Sequence, residues 1–148
     1  MVENAIDSKA AGRRNEELVL RILREKGPIS QAKICSDTGL GSSTVSYIVG
    51  RLREKKLIIE KAGQSDKRGA KPVLIDINPA GRFIVATEIS PSCVFTGLFD
   101  YKGVLIDEIK VAPGQDHSAE NILNLLELNT RGLLSRHEIA PEKMLGLG

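Results

Sequence analysis

Ser42, Ser43, Thr44, Ser46 and Tyr47 place four aliphatic hydroxyls and a phenol within six consecutive positions. Short hydroxyl side chains approach closely and both donate and accept, which suits them to base edges in a major groove. Tyr47 adds reach to a phosphate or a thymine methyl, and Arg51 and Arg53, one and two turns further on, suit phosphate contact. Gln31, at the start of the preceding helical segment, joins this candidate set. A second group, Lys67, Arg68 and Lys71, lies in a polar stretch over residues 63–72. Cations at such a loop tip lie along a sugar-phosphate backbone or enter a narrow minor groove. Together the two groups predict contact with duplex DNA. Nothing predicts catalysis or a metal: Cys35 and Cys93 are far apart in sequence, His117 and His137 are isolated, and no spacing resembles a zinc site. The expectation is a non-enzyme with no cofactor in these residues.

Charge supports the same partner. Residues 1–75 hold 15 Lys and Arg against 9 Asp and Glu, a net of +6, whereas residues 76–148 hold 6 against 10, a net of −4. A basic front and an acidic back imply that only the front meets a polyanion. Aromatic residues make up 3% of the chain and Trp is missing, so stacking platforms for single-stranded nucleic acid are not expected. No signal peptide and no apolar run long enough for a membrane span is visible. Two unpaired cysteines fit a reducing cytoplasm.

These side chains need a frame to hold them. Residues 1–12 read as a polar, frayed arm. From Asn15, apolar Leu18, Val19, Ile22 and Leu23 fall at helical spacing until Gly27-Pro28 stops the helix. Ser30 reads as the N-cap of a short helix over Gln31–Thr38 whose apolar or small positions are Ala32, Ile34 and Cys35, and Gly39 ends it. Ser42 or Ser43 is expected to cap a third helix running to about Lys56, with Val45, Ile48, Val49 and Leu52 as its buried stripe. Residues 57–61 and 73–77 then alternate as two strands of a hairpin, and residues 78–81 form a turn and a domain boundary. Helix, tight turn and helix, with small Cys35, turn Gly39 and β-branched Val45 at the crossing, is the pattern of a helix-turn-helix. The hairpin would be its wing.

The rest reads as strands at 82–89, 93–99 and 104–111, a helix from Ser118 to about Arg136, and a further strand over 144–148. About 70 residues with one helix to cover a sheet look like the opening of an α/β domain in a longer protein. The expected organisation is thus a winged helix-turn-helix over 1–77, followed over 78–148 by the start of a second domain.

The run Asn15, Leu18, Ile22-Leu23, Gly27-Pro28-Ile29-Ser30-Gln31-Ala32, Thr38-Gly39-Leu40, Ser43-Thr44-Val45-Ser46, Leu52, Leu57-Ile58, Gly69, Lys71-Pro72, Leu74-Ile75 and Asn78 resembles the N-terminal domain of ROK-family regulators (repressors, open reading frames, kinases), a likeness extending over residues 13–112. The resemblance implies a homodimer reading a palindromic operator and a C-terminal domain of actin-like ATPase fold. It also implies release, usually of repression, by a sugar or sugar phosphate bound there. ROK kinases carry an Asp-x-Gly-x-Thr phosphate motif in the first hairpin of that domain. The matching stretch here is Glu88-Ile89-Ser90-Pro91-Ser92, in which Glu replaces the Asp, Ser replaces the Gly and Pro91 removes a backbone donor. The expectation is therefore a transcriptional regulator. The alternatives are a ROK sugar kinase with an appended N-terminal domain, and a winged helix serving protein contact.

Overall fold

A computed structural model describes residues 2–63 and 72–148, and the chain divides into two compact units, one ending at Asn78 and the other beginning at Pro79. The first unit contains α1 (Val2–Lys26), α2 (Gln31–Thr38), α3 (Ser42–Glu54), β1 (Ile58–Ala62) and β2 (Val73–Ile77). It is a winged helix-turn-helix.

Its core is wholly aliphatic. Val19 and Leu23 of α1, Ile34 of α2, Val45, Ile48, Val49 and Leu52 of α3, and Ile58, Ile75 and Ile77 of the hairpin are all buried. The expected stripe of α3 is therefore the stripe that packs. In α2 the anchor is Ile34, while Cys35 is half-buried and Ala32 is exposed. Ser30 caps α2 as its sequence suggests, accepting from the Lys33 N–H at 3.2 Å. Gly39 closes the helix in the left-handed region at φ 72°, where glycine carries no Cβ penalty, and its N–H donates to the Cys35 carbonyl.

Two expectations fail. Residues 2–12 are helical rather than a frayed arm, so α1 is one continuous helix. Ala5, Ala10 and Ala11 favour helix strongly, and the lone Gly12 weakens it without breaking it. Neither Ser42 nor Ser43 caps α3. Gly41 occupies the cap position with extended backbone and no side-chain hydrogen bond, and the serines stand inside the first turn.

The wing strands pair antiparallel from Ile58 opposite Ile77 to Ala62 opposite Val73, and the Gly63 N–H extends the ladder to the Pro72 carbonyl at 2.8 Å. Ile29 adds a third, one-residue rung by exchanging both backbone hydrogen bonds with Ile75. At Gly27 the chain passes so close to its neighbours that a Cβ would lie 2.5 Å from the Leu23 carbonyl oxygen and 2.9 Å from Asp76 Oδ1. Glycine there serves the approach of α1 to β2 as well as ending the helix. Asp76, 1% exposed, is held by Lys61 Nζ at 2.7 Å and by the Ile77 N–H at 2.8 Å.

The second unit orders its strands β5-β4-β3-β6, with β3 (Phe83–Ile89), β4 (Val94–Asp100) and β5 (Leu105–Val111) antiparallel, and β6 (Met144–Leu147) parallel to β3. Helix α4 (Ala119–Arg136), capped by Ser118, packs on β4 and β5 and lies between β5 and β6 in sequence. Val85, Leu98, Leu133 and Ile139 form the core. The Asn129 amide donates to Thr96 Oγ1 at 3.2 Å, so these two buried polar groups satisfy each other.

Helices α1 and α2 are also joined electrostatically. Asp37 accepts from Lys33 Nζ at 2.7 Å and Lys26 Nζ at 2.9 Å. Hydrogen bonds from Lys33 and then Lys26 pull its carboxyl pKa down from 3.8 to about 2. A carboxylate whose folded pKa is depressed stabilises the fold above its unfolded value and loses that contribution as pH falls through the folded one. Asp37→Asn is therefore expected to be less stable than the parent at neutral pH, with the gap closing between about pH 4 and pH 2. Urea midpoints across that range test it; a constant gap would place the Asp37 effect outside ionisation.

Candidate nucleic-acid interface

A helix of 3.6 residues per turn that buries Val45, Ile48, Val49 and Leu52 must turn its other side outward. Ser43, Tyr47, Gly50 and Glu54 follow one another at spacings of four, three and four along that outer ridge. Ser42, Ser43, Ser46 and Tyr47 are exposed, and Thr44 is half-buried. Tyr47 is 66% exposed, a large apolar ring with no core to serve.

The start of α3 has an uncommitted first turn. The first backbone bond back across the cap runs from the Val45 N–H to the Gly41 carbonyl at 3.0 Å. Ser42, Ser43 and Thr44 therefore present three amide donors without an intrahelical acceptor. Because Gly41 provides no side-chain cap, none of their three hydroxyls is spent on capping α3. The end of the helix offers a cluster of donors, with the positive end of the helix dipole behind them.

Gln31 and Ser46 come together as a pair. Ser46 Oγ donates to Gln31 Oε1 at 3.1 Å, which ties the start of α2 to the face of α3. The Gln31 amide nitrogen has no hydrogen-bond partner among the described residues, and a side-chain amide is the group that reads adenine. Arg51 lies with its guanidinium 5.8 Å from the centroid of the Tyr47 ring and 3.6 Å from Glu16 of α1. Arg53 pairs with Glu60 of β1 at 3.0 Å. Lys67, Arg68 and Lys71 of the wing lie outside the described residues.

Sequence reasoning missed two residues. Glu16 lies 35 positions before Arg51 and carries no local signal of its role. Gly50 did carry one. It sits in the interior of α3, where glycine is unfavourable, and a Cβ there would meet nothing within 4 Å. The fold does not require it.

Residues 14–69 match the MarR family. The xylose repressor of Bacillus spizizenii is 29% identical over 92 residues, covering 62% of this chain and 24% of that protein. The xylose repressor of Bacillus subtilis is 24% identical over 135 residues, covering 90% of this chain and 35% of that protein. In fold, the chain is similar to a solved ROK family transcriptional regulator, a homologue of the E. coli MLC protein, with a TM-score of 0.69 at 17% identity over 93% of this chain and 35% of that one. The chain spans about a third of the length of the Bacillus subtilis relative and of that structure. In sequence the chain is similar to xylose repressors and in fold to a ROK family transcriptional regulator, and its architecture is a winged helix-turn-helix followed by a unit of strands and one helix that shares the fold of that regulator.

Gly50→Ala is expected to raise stability by about 0.5–1 kcal/mol, because it removes an interior helix glycine and meets no neighbour. Urea unfolding of the two proteins decides it; a destabilised variant would show that the fold does need glycine at this position.

Proposed function

We propose that this chain is the DNA-reading part of a ROK-family transcriptional regulator, a repressor of sugar-utilisation genes that acts in the cytoplasm as a homodimer on a palindromic operator. The observation that carries the proposal is the start of α3, where no side chain caps the helix, three backbone amides are without intrahelical acceptors, and Ser43 shares an exposed ridge with Tyr47. In a winged helix-turn-helix this is the end of the helix that enters the major groove. Ser42, Ser43 and Thr44 meet bases and adjacent phosphates there, Gln31 and Ser46 act as one hydrogen-bonded reader, and Tyr47 packs on a base or sugar. Lys67, Arg68 and Lys71 at the wing are proposed to track the backbone or minor groove. The names of the relatives favour a sugar as the releasing effector, bound by a ROK domain whose opening segment has the fold of residues 79–148.

One feature of the second unit weighs against the kinase alternative. Where a phosphate cradle would need free backbone donors, the turn between β3 and β4 closes on itself. Ser90 N–H donates to the Cys93 carbonyl at 2.8 Å, Ser90 Oγ donates to the same carbonyl at 2.9 Å, and the Cys93 N–H donates to Ser90 Oγ at 3.1 Å. Pro91 has no N–H to offer.

Selection of duplexes from a randomised pool by the 148-residue chain is expected to enrich a single motif. Ser43→Ala should then weaken binding to that motif by an amount typical of one base contact, ~1–3 kcal/mol, while changing affinity for unselected duplex little. Gly50→Ala should also weaken binding despite its added stability, since a duplex approaching the ridge would meet the new methyl group. A pool that enriches no motif would overturn the operator-reading function.

A further inference from the structure

Tyr47, Arg51 and Lys55 follow one another at four-residue spacing, so they form one row that starts on the ridge and ends at the C-cap of α3. Such a row of aromatic ring and two cations would ordinarily run along a phosphate backbone. Here both cations are already engaged from behind. Glu16 of α1 places Oε2 3.6 Å from the Arg51 guanidinium and bonds Lys55 Nζ directly through Oε1. The Glu16 side chain is 13% exposed, whereas those of Arg51 and Lys55 are 42% and 41% exposed. The carboxylate is sheltered and fixed; the cations are the solvent-facing partners.

We propose that Glu16 is a specificity-determining positioning residue, whose carboxylate holds Arg51 and Lys55 back against α1 and so suppresses charge-driven binding to arbitrary duplex. The inference rests on the reading of α3 as the DNA-reading helix. Phosphate contacts supply affinity without sequence information, and base contacts supply discrimination. A regulator that must find one operator among many competing sites depends on the ratio of the two. Withholding two cations from the backbone improves that ratio by lowering its denominator, and leaves recognition to the hydroxyls of the first turn. The nearby pair of Arg53 with Glu60 neutralises a third cation of the same helix from the wing side.

The test uses the 148-residue chain and a labelled random-sequence duplex of roughly 25 base pairs, with affinity followed from about 50 to 200 mM salt. Glu16→Gln is expected to steepen the slope of log affinity against log salt by about 1–2 and to tighten low-salt binding on the order of tenfold, as one or two further phosphates are neutralised. Lys55→Met in the parent should leave the slope unchanged, because Lys55 is not on the DNA. Lys55→Met added to Glu16→Gln should take back about one unit of slope. A purely structural role for Glu16 would shift the melting temperature and leave all slopes alike. An unchanged slope for folded Glu16→Gln overturns the proposal. So does a slope reduced by Lys55→Met in the parent, a result that does not depend on whether Glu16→Gln folds. If the parent binds no duplex at all, the DNA-reading function falls and takes this proposal with it. If the parent binds and only these slopes fail, Glu16 alone loses its role.

Discussion

The rotation of α3 about its own axis is the constraint on which the rest depends. Val45, Ile48, Val49 and Leu52 are all within 4% of complete burial, where α3 packs against α1, α2 and β1. A slip of one residue turns a helix by about 100°, which would carry the outer ridge toward the core and bring apolar side chains into water. The burial of four branched side chains thus determines where Ser43 and Tyr47 face. The turn does the same for the axial position. Gly39 in the left-handed region and Gly41 as an extended cap bring the chain from α2 into α3 in three residues, without any side chain at the cap.

That turn also explains why the cap was misread from sequence. A serine before an apolar-periodic helix normally marks the cap, because its oxygen accepts from an early amide. Here two serines follow a glycine, and the glycine takes the cap. Local propensity could not choose between them, because the choice belongs to the geometry of the turn. The consequence is functional, since hydroxyls spared from capping remain available to a partner. Periodicity, by contrast, was enough for the frame: the limits of α2, the strand Val73–Ile77 and the capped start of α4 all follow from spacing and cap residues. What spacing could not reveal is contact between distant segments. Glu16 meets Lys55 39 positions away, and Gln31 meets Ser46 15 positions away. Neither pairing leaves a trace in the local pattern. Helical residues 2–12 were missed for the opposite reason, because alanine-rich helix without an apolar stripe has propensity but no periodicity to read.

The second unit applies the same economy to a different end. Its β3–β4 turn closes on itself through hydrogen bonds between Ser90 and Cys93. The strand below it is kept narrow at Gly97, where a Cβ would lie within 3.1 Å of Phe95, Phe99 and Leu105 side chains. Side chains from β4 and β5 therefore close over the backbone on the face away from Asn129 and α4. The frame of the second unit depends on Val85, Leu98 and Leu133 rather than on the turn.

On the proposed reading, charge and hydrogen bonding divide the work of recognition on α3. The first turn offers neutral hydroxyls and amides, groups suited to discriminating among bases by geometry. The later turns carry Arg51, Arg53 and Lys55, and each is met by a carboxylate from another element, Glu16 of α1 or Glu60 of β1. Exposed ion pairs of this kind contribute little to folding stability. Their placement is better understood through what they do to the field in front of the helix. A cation already paired presents a dipole to an approaching phosphate, and a dipole's field falls off faster than a charge's. On the proposed reading, net positive charge in the first 75 residues would draw the chain to a polyanion, whereas the local pairing along α3 would keep that attraction away from the surface proposed to distinguish one sequence from another.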